Sequence, residues 1–446
     1  MRNVIQSVCF LLMFCSLKLT AQDPSAVISE AKIFSLKPVS DFYSFSNDWN
    51  DFMVFRHAEK DVATSYSLVM TGRNDEIALA SNIRVATQVE DNHFSLAGLA
   101  LAGRNLTAFV QSHNLVTGRS LMSMQALDNK GGLSSEGMLV GYFDVKDAAN
   151  AGSWKIASSP DQKHIGLIAQ LPYVPGEPER FNYYFINEHL TITHKGEFSI
   201  ENAGLHTLQI RDFLCTDQGG FYLTGASLPG NEGYPLVYKA GVGSDSCKVI
   251  PVHRKVLGYE SGSYQAKLNP QGELVLAGYF QNKGVVEVKK VQTAGIWSFN
   301  SSKPKEVNFQ PFDLLAERLD VRHLLINGAT YFLVGESKSE ILVSALGADG
   351  TRKFDLSLNR ALNATSSEAL PSIVAGILQG KLFLVYGNGK ALVALSIDDN
   401  GVRKEEKVLE ELKAEDKLLP QFFSGNSDHF RILSASADEI QVITLR

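Results

Sequence analysis

"NPQGELVLAGYF", Asn269 to Phe280, reads as a tight turn feeding a short strand that alternates large and small residues. Near-copies of it return along the chain. They include "SPDQKHIGLIAQ" from Ser159, "CTDQGGFYLTGAS" from Cys215, "INGATYFLVGES" from Ile326, "LQGKLFLVYGNG" from Leu378 and "SGNSDHFRILSAS" from Ser424. Weaker copies are "NDWNDFMVFRHA" from Asn47 and "LAGRNLTAFVQS" from Leu101. Each has a turn rich in Gly, Asn, Asp or Pro, then an apolar-alternating strand, and most reach a Gly or Ala where close approach is expected.

Taking the first apolar residue after each turn as an anchor gives Phe52, Leu106, Ile165, Phe221, Leu274, Tyr331, Leu382 and Phe430, with successive gaps between 48 and 59 residues. A period of this size is the signature of a radial or stacked array of sheet modules. Flanking patterns supply four strands per unit. In the sixth unit "VRHLLIN" and "TYFLVGES" form one hairpin, and "EILVSALGADGTRKFDLSL" forms a second over Asp349 and Gly350. The seventh unit repeats the plan and turns at Asn400 and Gly401.

One four-stranded sheet of this size cannot bury both faces, whereas sheets arranged around an axis cover one another. After the last anchor only three strands fit, "PQFFSGN", "HFRILSAS" and "EIQVITLR", while "AKIFSLKP" precedes the first full unit. The N-terminal strand is therefore expected to join the last sheet and close the ring. The chain resembles a β-propeller across residues 22–446, all-β with eight four-stranded blades and seven as the alternative. It lacks a WD dipeptide, kelch-type paired glycines and the Ser-x-Asp-x-Gly-x-Thr-Trp box, so the resemblance implies a fold and no activity.

The first 21 residues have the layout of a cleavable secretory signal: an early Arg2, an apolar run from Val8 to Leu17 and a small Ala21 before the expected cut. A lipidated Cys15 is disfavoured by Met13 and Phe14 beside it. The ending "LTAQ" resembles exports of Bacteroidetes-type bacteria. Export to the periplasm or the exterior is expected, with outer-membrane association as an alternative, because no later apolar run approaches the roughly 20 residues of a spanning helix.

Removing Arg2 and Lys18 with the leader leaves 40 basic against 48 acidic residues, a net charge of −8, which argues against a nucleic-acid partner. Two cysteines remain, Cys215 and Cys247. An oxidising compartment permits a disulfide between them, and two separate thiols are the equal alternative.

Motifs of chemistry are scarce. The ten histidines include no His-Glu-x-x-His, the cysteines form no C-x-x-C, and neither Gly-x-Ser-x-Gly nor a P-loop occurs. The acidic turns "ALDNKGG" from Ala126 and "SIDDNG" from Ser396 lack calcium-loop alternation and read as hairpin chemistry. No metal or cofactor is expected and no catalytic residue is assigned. "GVRKEEKVLEELKAEDKLLP", Gly401 to Pro420, reads as a solvated outer strand followed by a connector whose middle has helical potential, with Leu409 and Leu412 on one side.

Loop lengths are unequal. In an up-and-down sheet, the loops after strands two and four fall at one end, which receives "LPYVPGEPERF" (171–181), "LPGNEGYPL" (228–236), "LGYESGSY" (257–264) and "NRALNATSSEALP" (359–371). Tyr173, Glu177, Arg180, Asn231, Tyr234 and Tyr259 there supply aromatic platforms with polar handles. The expected function is a monomeric, non-enzymatic module binding a protein or glycan of the cell envelope or its surroundings. The alternative is a polysaccharide hydrolase or lyase at the mouth of the axial channel. Histidine, arginine or clustered carboxylates at that mouth favour an enzyme; Ser, Ala and Leu there disfavour one.

Overall fold

The computed structural model describes residues 29–35, 39–46, 50–57, 63–72, 77–86, 88–114, 116–127, 137–146, 150–201, 207–225, 236–241, 247–250, 259–282, 294–303, 307–312, 319–337, 340–359, 373–388, 391–409, 417–419, 430–435 and 439–445. The leader expected over the first 21 residues lies outside them.

The described strands form eight antiparallel sheets, numbered here in chain order, and no α-helix occurs among the described residues. Seven sheets have four strands; sheet 2 has a fifth, Gln88–Val89, beside Asn92–Ala102. The eight anchors all fall in the second strands, which are Asn50–His57, Asn105–Asn114, His164–Gln170, Gly220–Gly225, Leu274–Asn282, Thr330–Glu336, Lys381–Asn388 and Phe430–Ala435. Sheet 8 contains both chain ends. Ser29–Ser35 pairs antiparallel with Glu439–Leu445, so the N-terminal strand lies where the sequence expects it. The remaining strand of that sheet is Lys417–Leu419, upstream of the expected "PQFFSGN".

Alternation within each second strand explains the packing. Leu274 and Leu276 join an apolar cluster with Tyr222 and Val237 of sheet 4, while Val275 and Ala277 join one with Val321, Leu324 and Leu333 of sheet 6. Because side chains of a strand point alternately to opposite faces, "LVLA" buries both faces at once. The same arrangement recurs between sheets 1 and 2, 2 and 3, 3 and 4, and 6 and 7. At about 25 cal/mol per Å² of apolar surface, these seams supply the main driving force for stacking the sheets. This is a β-propeller.

The short turns recur because one polar side chain organises each. Asn269 Oδ1 accepts from the N–H groups of Gln271 and Glu273 at 3.0 and 2.9 Å, and Asp398 Oδ1 does the same for Asn400 and Val402, both at 2.9 Å. The Ser159 and Thr216 hydroxyls do the same in sheets 3 and 4, accepting from His164 N and Gly220 N, and Asp398 in "SIDDNG" is engaged by its own turn. Gly350, with φ of 81°, occupies the left-handed position of the expected turn over Asp349 and Gly350.

Close approach at the end of the repeat is made by a side chain as well as by backbone. A Cβ on Gly335 would meet Tyr279 Cε2 at 2.3 Å. That ring comes from sheet 5, and its hydroxyl donates toward Leu333 O and Leu342 O, each at 3.3 Å. The charge run also resolves partly. Arg403–Leu409 is the outer strand of sheet 7, so Leu409 belongs to a strand, and the residues expected to be helical beyond it lie outside the described ones.

Cys215 is buried and Cys247 half-buried against the same cluster of Phe213, Phe221 and Tyr238. Both are free thiols, the second of the two states that the sequence leaves open. Burial pushes each up to about 12.

Candidate functional site

In sheets 1 to 7 the first strands of successive sheets adjoin one another. Those of sheets 4, 5 and 6 are Ile210–Cys215, Tyr259–Leu268 and Asp320–Asn327. Each begins at the end that receives the long connections. Strand order puts all four long segments there, between second and third strands or between sheets.

Near that end the first strands lose register with their neighbours. Shifts occur between Ile210 and Asp212 in sheet 4, between Ser261 and Tyr264 in sheet 5, and between Val321 and His323 in sheet 6. Such a bulge re-aims a side chain that regular alternation would have buried. The residues it releases in sheets 4 and 6 are Arg211 and Arg322, and both side chains are about half exposed.

Arg211 bridges sheets 4 and 5. Its Nη2 donates to Tyr264 O at 2.6 Å and its Cζ lies 3.8 Å from the Tyr264 ring centroid, a cation–π geometry. The Tyr264 hydroxyl donates to Thr224 Oγ1 at 3.2 Å, and the Thr224 hydroxyl donates to Asp212 Oδ2 at 2.5 Å. Burial raises the Tyr264 phenol above its ordinary range. This chain of donors is internally satisfied and serves to hold Arg211.

Sheet 6 presents a different group. Arg322 Nε donates to the buried Glu336 Oε2 at 2.8 Å, which leaves the terminal guanidinium nitrogens for other acceptors. His323 Nε2 lies 2.6 Å from Ile373 O, at the entry to sheet 7. A carbonyl can only accept, so Nε2 carries the hydrogen. Burial, with the charges of Lys267 and Arg322, holds the imidazole below its ordinary range against the opposing pull of the Ile373 bond and Glu336. The ring is therefore neutral at pH 7, and Nδ1 keeps its lone pair.

Lys267 stands on the first strand of sheet 5. Ala266 and Leu268 pack toward sheet 4, so alternation turns Lys267 toward sheet 6. Its side chain is exposed, and the protein around it draws its pKa below the ordinary range by desolvation.

Of the residues selected from sequence, Tyr173 and Glu177 lie on the connection at 171–178, and Arg180 lies in the strand Glu179–Asn187. Asn150 pins the loop. Its Nδ2 donates to Tyr173 O at 2.7 Å and its Oδ1 accepts from Tyr173 N at 2.9 Å. These three residues belong to sheet 3, at the same end as the two arginines. Tyr259 begins the strand Tyr259–Leu268 and is no loop residue; its side chain lies outside the described ones, as do Asn231 and Tyr234 altogether. Sequence reasoning missed Arg211, Lys267, Arg322 and His323. Their signal is a polar or charged residue interrupting an apolar first strand, as in "IRDF" and "VRHL".

No protein-family model and no curated protein matches the chain. Solved structures of similar fold include prolyl oligopeptidase B from Galerina marginata, at 10% identity over 92% of this chain and 55% of that one, TM-score 0.46. An acylaminoacyl peptidase from Pyrococcus horikoshii matches at 10% identity over 90% of this chain and 57% of that one, TM-score 0.40. The β-propeller domain of the Trilobed protease from Pyrococcus furiosus matches at 10% over 83% of this chain and 99% of that one, TM-score 0.39. The chain spans about half the length of the first two. The expectation of a non-enzymatic binding or scaffold module is not carried forward, because these three similar structures are of peptidases or a protease domain; at 10% identity they show the fold alone.

Proposed function

We propose that this chain hydrolyses peptides at the long-loop end of its axis, with His323 as the general base. The observation that carries the reading is the state of His323: a neutral imidazole, fixed through Nε2 by Ile373 O, with Nδ1 left as an acceptor. In this scheme Nδ1 takes a proton from water as the water oxygen attacks the peptide carbonyl. The same proton passes to the departing amine as the carbon–nitrogen bond breaks. The free guanidinium nitrogens of Arg322, positioned by Glu336, donate to the oxygen that gains charge. Peptide is taken as the substrate class because the solved structures named above are of peptidases or a protease domain.

The test is incubation of the purified chain with a mixed peptide pool, read by mass spectrometry, beside the variant His323→Gln. General-base assistance is worth about 100-fold or more, so cleavage should fall by at least that factor in the variant. Undiminished cleavage by His323→Gln, or no cleavage by the unaltered chain, overturns the proposal.

A further inference from the structure

At the end opposite the long connections, the seam between sheets 5 and 6 opens into a cleft of about 310 Å³, lined among others by Val275, Ser298, Lys303 and Asn308 of sheet 5 and by Tyr331 and Asp349 of sheet 6. Two of these residues are hydroxyl-bearing and almost wholly buried, Ser298 at 5% exposed and Tyr331 at 3%. Neither hydroxyl has a hydrogen-bond partner among the described residues, and both keep contact with solvent. Ser298 Oγ points across the seam, because a Cβ on Gly350 would lie 2.8 Å from it and would also meet Asn308 Nδ2. Glycine at 350 thus keeps the cleft open beside the Ser298 hydroxyl. Nearer the surface, Asn308 Nδ2 donates to Asp349 O at 2.9 Å, which leaves Asn308 Oδ1 as an acceptor. Asp349 Oδ1 accepts from Thr351 Oγ1 and Thr351 N at 2.6 and 3.0 Å, and those bonds, with the charge of Lys303, hold the carboxyl below its ordinary range. An ionised carboxylate and an amine therefore share the exposed rim.

We propose that this cleft binds a neutral polyhydroxylated ligand, which inserts one primary hydroxyl between Ser298 and Tyr331. The site is separate from His323 and stands apart from the hydrolysis proposed there. The interior is narrow, with room for a single water-sized group, so neither a carboxylate nor a sugar ring enters it. A methyl group would leave both protein hydroxyls unpaired, and an ammonium would carry charge to a buried floor. A hydroxyl accepts from one of the two and donates to the other. At the rim, Lys303 and Asp349 offset each other's charge and favour a neutral ligand over an ion. Together with Asn308 Oδ1 they offer donors and acceptors to its remaining hydroxyls. Two sources supply this chemistry, the hydroxymethyl group of a hexose and the end of a linear polyol.

The experiment is saturation-transfer NMR on the full chain, titrated with the methyl α-pyranosides of D-glucose, D-galactose and D-xylose and with glycerol. The chain is used unaltered and as Ser298→Ala and Tyr331→Phe. Saturation should be strongest at the C6 protons of a hexoside, and the xyloside, which lacks the hydroxymethyl group, should bind about fivefold more weakly, the loss of a neutral hydrogen bond. Saturation of glycerol with none of the hexosides identifies the linear polyol instead. Each variant should weaken the bound probe by about the same factor. Both should melt at or above the temperature of the unaltered chain, since each removes a hydroxyl that has no partner in the fold. Saturation of no probe, a xyloside bound as well as the hexosides, or binding that survives both variants overturns the proposal, and the cleft then holds water alone. Peptide cleavage at His323 is read separately, and none of these outcomes bears on it.

Discussion

Asp320–Asn327, the first strand of sheet 6, meets two unlike environments at its two ends. At the short-turn end Asn327 Nδ2 donates to Gly380 O at 2.7 Å and approaches Asp399 Oδ1 at 3.4 Å, joining two turns of sheet 7. Arg322 and His323 stand five and four positions before it and bond instead to Glu336 Oε2 and Ile373 O. The same contrast runs around the molecule. Gly103 N donates to Gln162 O, Asp161 N to Asp217 Oδ1, Ser301 Oγ to the Tyr222 hydroxyl, and Asn308 Nδ2 to Asp349 O, at 2.5, 2.9, 3.2 and 2.9 Å. These latches link sheets 2 to 3, 3 to 4, 4 to 5 and 5 to 6. Bonds between sheets occur at the long-loop end too, from Arg211 to Tyr264 O and between His323 and Ile373 O, but there they are made by charged or titratable side chains of the first strands. The difference teaches that a repeat can be uniform in packing and still carry unlike chemistry at its two ends.

The contrast can be broken by substitution, beginning where the seam is tightest. Gly335→Val places methyl groups against the Tyr279 ring, where a Cβ alone already meets it at 2.3 Å; overpacking of this kind costs about 3 kcal/mol and should appear as a lower midpoint in urea unfolding. A smaller effect is expected at a latch. Asn327→Ala removes donors to sheet 7 and should lower stability by about 1 kcal/mol, while peptide cleavage stays within about twofold, because general-base chemistry at His323 is untouched.

The smallest effect is a pH dependence. His323 is lowered in the fold, so well above 6.5 the ring is neutral whether the chain is folded or not, and it contributes no slope there. As pH falls below 6.5 the unfolded chain binds a proton that the folded one resists, so stability declines until the folded value is passed. Lys267 of sheet 5 and Arg322 of sheet 6 sharpen this, and Glu336 opposes it. Melting temperatures measured between pH 7 and 5 should fall less steeply in His323→Gln than in the unaltered chain. Equal slopes would show that the imidazole is not held neutral.

Much of the scaffold was legible because it depends on local rules. Phe221, Leu274 and Leu382 each follow a turn organised by a polar side chain or glycine, and their alternation leaves both faces apolar. Such a strand has to be covered on both sides. The candidate site was less legible. Tyr173, Glu177 and Tyr259 were selected because loops with aromatic residues often bind ligands, yet the groups with spare chemistry are Arg322, His323 and Lys267 inside strands. A bulge depends on how two strands pair across a sheet, and pairing register is not written in either strand alone.

By itself, then, the sequence determined the period, the strand content, the turns and the joining of the N-terminal strand to the last sheet, since each follows from alternation and turn chemistry over short stretches. Tertiary structure alone decided that Glu336 compensates Arg322 and that Ile373 O fixes His323. Those outcomes need residues from different strands or sheets, 14 positions apart for Arg322 and Glu336 and 50 for His323 and Ile373, and burial and electrostatic pairing act through space.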